Sequence, residues 1–507
     1  MVRFFVLIFI TICLSIGLLS CKKDKLLTDP SARISFSQDS ILFDTVFTTI
    51  GSATRSIRII NNNNQKINLS SVRLQNGPSS QFMLNVDGVS GRQVNDVEIL
   101  ANDSIYVFVQ VNVNPTSALS PLIIQDKIIV DVNGNQQELP LEAWGQDAHY
   151  HFPDQAIQYK NGYLPYSTVS AATTQTTVTW GGGALGQPND NRPHVIYGWL
   201  VVDSAQTLII NAGVKVYFHQ NAGLWTYRYG TLQVNGMQGN EVVFQGDRRE
   251  ADYADLPGQW DRIWINEGSK NNYINYAIIK NGYIGVQAAL YPFFVPPNTI
   301  AYDVNAPKHL KITNTIIKNC SKLGIYTQHF NVWGANNVVC NCKEYCGVFT
   351  WGGNTTFLHS TFANYFNQDG GRGGQPSLHI DNYDGTDTWP CDSVYIANSI
   401  ISGSQGNEFE YDLRPTSFSP SPKYLVSHSL IRATPITGTV VTSTANDFTG
   451  NPEFKDIDHY DFGIKSNSAA IGIGDPAVGS YMILSSDIKG TPRNFSTGQV
   501  DAGAYNK

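Results

Sequence analysis

Ile274-Asn275-Tyr276-Ala277-Ile278-Ile279-Lys280-Asn281 and Ile312-Thr313-Asn314-Thr315-Ile316-Ile317-Lys318-Asn319 are two copies of one pattern. Each is followed by a Gly-aliphatic step, Gly285-Val286 and Gly324-Ile325. Val338-Val339-Cys340-Asn341 with Gly347-Val348 repeats it, and Thr361-Phe362-Ala363-Asn364 and Ser399-Ile400-Ile401-Ser402 are later copies. The spacing of the Asn residues is 38 from 281 to 319, 22 from 319 to 341 and 23 from 341 to 364. A period near 22 with loop insertions is the signature of a β-solenoid, in which each coil covers the apolar face of the next. Inward aliphatics then stack from coil to coil. Asn at a bend accepts left-handed backbone and can bond to its copy one coil away. Lys280, Lys318 and the Asn residues beside them are therefore expected to form ladders.

The same character extends to both sides. Apolar runs at 199–203, 207–210, 215–218, 231–234 and 241–244 open the region, so the solenoid is expected over 196–446, with 447–507 as a C-terminal capping segment. Residues 148–195, rich in Tyr, Thr, Gly and Pro, read as a linker and entry to it. Upstream, short alternating runs at 34–36, 41–43, 56–60, 67–74, 105–113, 127–132 and 138–143 are separated by turn signals that include Asp87-Gly88 and Asn133-Gly134. Asn-Gly between apolar runs predicts a hairpin. About seven strands over 33–147 predict an immunoglobulin-like β-sandwich. No Cys lies in this segment, so no antibody-type disulfide staples it.

The first twenty residues hold one charge, Arg3, and an apolar run over 4–19. This reads as a signal peptide, too short to be taken first as a spanning helix. Leu18-Leu19-Ser20-Cys21 resembles a bacterial lipobox, in which the Cys sulfur receives diacylglycerol and the freed amine is acylated. The resemblance implies a membrane partner through acylated Cys21, with 21–32 as a tether, and several chains give stable anchoring. An ordinary signal peptide ending near a Cys is the alternative. Low charge (15%) with 44 Gly and 25 Tyr fits an all-β extracellular chain. Loss of the leader takes the net charge from −7 to −8. That balance excludes nucleic acid as the expected partner, because phosphate binding needs a basic surface.

Two family resemblances add to this reading. Phe43-Asp44-Thr45-Val46-Phe47, Asn102-Asp103-Ser104-Ile105 and Trp144-Gly145-Gln146-Asp147 resemble the ASH/hydin-like immunoglobulin modules of Bacteroidetes envelope lipoproteins. Gly246-Asp247-Arg248, Pro257-Gly258-Gln259-Trp260-Asp261-Arg262-Ile263-Trp264, Asn451-Pro452-Glu453-Phe454, Ser468-Ala469-Ala470-Ile471-Gly472-Ile473-Gly474, Asp487-Ile488-Lys489-Gly490, Arg493 and Asp501-Ala502-Gly503-Ala504-Tyr505 resemble the right-handed parallel β-helix lipoproteins of the same group. They imply an all-β chain, a spacer or binding module before a right-handed parallel β-helix, and an outer-membrane lipoprotein that is periplasmic or surface-exposed. They imply little about activity, since function lives in sites grafted on a fold.

Insertions on one face of a solenoid usually build its site. One spans 288–309, with Tyr291, Phe293, Phe294, Tyr302 and His309; the other spans 366–392. A polysaccharide lyase needs a cation for a uronate carboxylate, a base and an acid; Arg372, His379 and Lys343 supply those types. A glycoside hydrolase needs two carboxylates, for which Asp381, Asp384, Asp387, Glu408 and Glu410 are candidates. The bland reading is that these residues shape an exposed loop, and no spacing among them is diagnostic. Asp381, Asp384 and Asp387 with Gly385 also loosely resemble a Ca²⁺ loop, without EF-hand spacing.

Trp225, Tyr227 and Tyr229 at alternate positions predict three aromatics on one strand face, for sugar stacking or for packing between coils, and Trp389 is a further aromatic candidate. Cys320 and Cys342 stand one coil apart, within range of a disulfide or a stack of buried thiols. Cys340, Cys342 and Cys346 invite a zinc reading, but on a strand Cys340 and Cys342 are expected to share a face, and no His pair follows them. Asp247, Arg248, Arg249 and Glu250, and Asp261 with Arg262, read as ion pairs at coil edges. Two functions compete: a non-catalytic surface protein that binds a glycan or a protein partner along the solenoid, and a lyase or hydrolase with its site in 366–392.

Overall fold

A computed structural model describes residues 25–115, 122–159, 162–290, 306–385, 387–414, 422–437 and 439–507. The leader and Cys21 lie outside them, as do Tyr291, Phe293, Phe294 and Tyr302 of the first insertion. The chain is all-β and forms two compact units, 1–147 and 148–507.

The first unit is an immunoglobulin-like sandwich of two five-stranded sheets. Alternation holds on either side of a bulge between Leu69 and Ser71: Ile67–Leu74 buries Ile67 and Leu69, then Val72 and Leu74, beside Ile128, Val130 and Val132 of the paired strand Leu122–Val132. Asn133 (φ 47) and Gly134 (φ 80) make the left-handed turn joining Leu122–Val132 to Asn135–Gln146. Ile41–Phe47 runs parallel to Asn135–Gln146, against the antiparallel rule of the rest. Phe82–Val86, Val89–Gly91 and Gln93–Ile99 are strands beyond the seven expected. They are short or carry polar residues at most positions, which hides their alternation.

The second unit is a parallel β-helix of three ten-stranded sheets. Each coil gives one strand to each sheet in turn, as Val338–Cys340, Tyr345–Thr350 and Thr355–Leu358 do for the first, second and third sheets. The core is a continuous stack of Leu, Ile, Val and Phe, including Leu208, Leu232, Ile274, Ile312 and Phe357, all 0–1% exposed. The bends behave as the repeat predicts. Asn281, Asn319 and Asn341 are left-handed (φ 64, 58 and 48), and Asn319 Nδ2 donates to Asn281 Oδ1 at 2.8 Å. A second ladder runs from Asn336 to Asn314 and from Asn314 to Asn275, at 3.0 and 2.9 Å. Lys280 pairs in register with Lys318, but Cys340 takes the next position, so the lysine ladder has two rungs.

The segments at either end of the solenoid take definite roles. Residues 148–195, expected as a linker and entry, hold the first coil: His149–His151, Gly162–Thr168 and Thr176–Trp180 pair in parallel with the strands that follow. Gln155–Tyr159 folds back antiparallel on Gly162–Thr168 and covers the end of the second sheet, which would otherwise present an open edge. Residues 447–507 begin at the end of the solenoid, where Phe448 packs on its core and Asp447 bridges Leu430, and then run along its side. Outward residues Val338, Cys340, Ala363, Ile400 and Leu430 of the first sheet are apolar and are covered by Phe454, Phe462, Ile464 and Tyr505. Val478 and Leu484 cover Ala335, Leu358 and Ala397 of the third. The outward apolar stripe demands such a strap.

The five described cysteines are free thiols, so the disulfide alternative for Cys320 and Cys342 is not realised. Cys320, Cys342 and Cys346 are buried in the solenoid core, and burial pushes the Cys342 and Cys346 thiols well above their ordinary range. Cys340 faces the strap instead. The left-handed Asn341 between Cys340 and Cys342 breaks the period of two, so the two do not share a face.

Candidate functional site

The 366–392 insertion leads into the strand Leu378–Asp381 of the second sheet. Arg372 makes a bidentate pair with Glu408 (2.7 and 3.0 Å), both side chains at most 3% exposed. Its guanidinium also donates to the carbonyls of Asn364 and Gln375. Arg372 and Glu408 therefore fasten the insertion from within, and Arg372 is not presented to a substrate carboxylate. Lys343 pairs with Asp369 at the surface.

His379 and Asp381 point to the outer face, where His379 Nε2 meets Asp381 Oδ2 at 2.8 Å and His379 Nδ1 meets Glu410 Oε2 at 3.1 Å. Asp381 Oδ1 also accepts from Thr350 Oγ1 and Trp351 N. Burial alone would lower the His379 pKa, but the bond to Asp381 and the charges of Asp381 and Glu410 outweigh it and raise it. Burial would likewise raise Asp381, but its bonds from His379, Thr350 and Trp351 hold it below the usual carboxylate range. With both ring nitrogens on carboxylates, His379 can exchange a proton with a substrate only by giving up one of these bonds. Tyr345 lies edge-on to His379, centroids 6.2 Å apart.

Asp384 and Asp387 face each other across an exposed hairpin, while both oxygens of Asp381 are engaged elsewhere. The three do not converge, and among the described residues no group of three His, Cys, Asp or Glu is placed to hold a metal ion. Trp389 stacks on Trp351 (5.5 Å, 12°) and leans on His329 (5.0 Å) at the edge between the second and third sheets.

Trp225 does not line an open face. It stacks on Trp264 (5.3 Å, 20°), with Trp199 edge-on, and the three are 2–4% exposed. Tyr227 packs edge-on against Trp225. Tyr229, left-handed at φ 64, lies beyond the strand and departs from the expected single face. The aromatic run is thus inter-coil packing with Tyr229 left exposed.

A partly open aromatic surface lies on the third sheet, with Trp333 also tilted against Tyr481 of the 447–507 segment (5.7 Å, 54°). Tyr273, Lys311, Trp333 and Thr356 occupy one register on four successive strands, pointing outward. Lys311 Nζ sits 5.1 Å from both ring centroids. A second row one pleat away places His309 opposite Asn331, and Asn354 N donates to Asn331 Oδ1. Together with Lys270 and Pro307 these line a groove of about 650 Å³. Sequence reasoning reached only His309. The missed signal was one outward aromatic or cationic residue per coil, Tyr273, Lys311 and Trp333, at intervals of 38 and 22.

No family model matches the chain, and no curated protein does. Among solved structures, the ASH/PapD-like domain 7 of human CEP192 is 12% identical, covering 24% of this chain and 90% of its own, with a TM-score of 0.17. The catalytic unit of a GH87 alpha-1,3-glucanase from Streptomyces thermodiastaticus is 10% identical, covering 77% of this chain and 87% of its own, with a TM-score of 0.26. A likeness at these TM-scores carries no argument about activity.

Proposed function

We propose that the protein is an exported lipoprotein of a bacterial envelope, anchored at the outer membrane through acylated Cys21, whose solenoid binds glycan without cleaving it. The observation that carries this reading is the third-sheet groove with Tyr273, Lys311 and Trp333 in register. Rings fixed on a rigid sheet offer a sugar apolar contact with little entropy to lose, and the flanking Asn and His side chains offer hydrogen bonds to hydroxyls. The engaged nitrogens of His379 and the buried pairing of Arg372 support binding over catalysis. The lipobox-like Leu18-Leu19-Ser20-Cys21 supports the anchor, and the resemblance to Bacteroidetes lipoproteins agrees with it.

A lyase or hydrolase is the competing reading, and it draws on Glu410, half-exposed beside His379. A polysaccharide screen separates the two. Retardation of the protein in glycan-containing gels, lost in Trp333→Ala and without new reducing or unsaturated ends, is the expected result. New ends that vanish in His379→Ala or Asp381→Ala would replace this reading with the enzymatic one.

A further inference from the structure

We infer that the third-sheet groove takes an acidic glycan, laid along the solenoid axis with about one sugar unit per coil and an anionic sugar substituent on Lys311; this rests on the glycan-binding reading above. The described lining residues include Lys270, Lys311 and His309 and no Asp or Glu. Neither Lys270 nor Lys311 has a carboxylate within 4.0 Å among the described residues. Lys311 is held instead between the faces of Tyr273 and Trp333, and Lys270 lies 5.9 Å from the Tyr229 ring. A neutral chain seated there would cover ammonium groups without supplying a counter-charge, which is unfavourable. A carboxylate or sulfate supplies it through a charge-assisted hydrogen bond.

The wider charge points the same way. The chain carries −7 overall, while the described lining of this groove holds two lysines and no carboxylate, so the groove is locally basic on an acidic chain. The geometry sets the axis. Adjacent strands lie about 4.8 Å apart, which is about the advance of one pyranose unit along an extended glycan. Successive sugars would therefore meet Tyr273, Lys311 and Trp333 in turn, with apolar contact at the rings and charge at the lysine, while His309, Asn331 and Asn354 run alongside.

The test uses the full chain in detergent, titrated with polygalacturonate, alginate, chondroitin sulfate and neutral xylan at low and high salt. Binding to at least one acidic polymer, weakened by salt, is expected. Lys311→Met should weaken it by about tenfold, the loss of one charge-assisted bond. Lys311→Arg should keep most of it, and Trp333→Ala should abolish it. Uronate polymers alone would assign a carboxylate to Lys311, and chondroitin sulfate alone a sulfate. Xylan binding that equals acidic binding, unchanged in Lys311→Met but lost in Trp333→Ala, overturns the acidic preference and leaves the glycan reading standing. No binding to any polymer, or binding indifferent to Trp333→Ala, overturns both.

Discussion

Arg372 shows how one residue changes meaning between sequence and fold. Its type suits a uronate-neutralising cation, but its partner Glu408 lies 36 residues away and is completely buried. Removing one member of such a pair strands a charge in low dielectric, which typically costs about 3–5 kcal/mol. Arg372→Met is therefore expected to lower stability by about that amount in denaturant unfolding, while glycan binding at the third-sheet groove persists in the folded fraction. A loss of under about 1 kcal/mol, the range of a surface pair, would remove this structural role. His379 was legible as a noteworthy residue in the insertion, but its two carboxylate partners were not legible as partners. Asp381 is two residues away and Glu410 is 31 away, brought beside it only by the parallel register of the second sheet.

At the scale of elements, the coil was readable and its covering was not. The left-handed Asn281, Asn319 and Asn341 and the alternating aliphatics are local facts, and they specify a stack of strands. The strap at 447–507 depends on an apolar stripe that exists only once the coils are stacked, with Val338, Ala363, Ile400 and Leu430 drawn from four of them. Arg493 locks it down, donating to Asn336 Oδ1 at 2.6 Å and to the carbonyls of Ser486 and Gly503. Arg493→Ala removes the donor to Asn336 Oδ1 and one of the donors to the Ser486 and Gly503 carbonyls, and it should loosen the strap without unfolding the coils. Hydrogen exchange should then speed up over 447–507 and over Val338–Cys340 and Thr361–Asn364, while the immunoglobulin-like unit keeps its protection. Unchanged exchange in the strap would contradict this anchoring role.

Across the whole molecule, buried neutral histidines give the solenoid an acid limit. Burial lowers His151 and His329 to about 4, and His194 and His359 well below their ordinary value of 6.5. The unfolded chain binds protons at these sites between about pH 6.5 and 4 and the folded chain does not, so stability falls as pH falls through that window. The midpoint of thermal unfolding is expected to drop steadily from pH 6.5 to 4 for the solenoid. His359→Gln should flatten the slope, and a slope unchanged by that substitution would remove His359 from the account.

The sequence by itself determined that the chain is all-β, that a sandwich precedes a solenoid, and where the coils repeat. Alternation, turn chemistry and period are properties of neighbouring residues, so they can be read along the chain. Only the tertiary structure decided that 148–195 form a coil, that Trp225 is packed rather than presented, and that Tyr273, Lys311 and Trp333 share one groove. The physical reason is that insertions of unequal length separate residues that a 4.8 Å strand spacing brings side by side. Whether an outward residue is covered depends on what the rest of the chain lays over it.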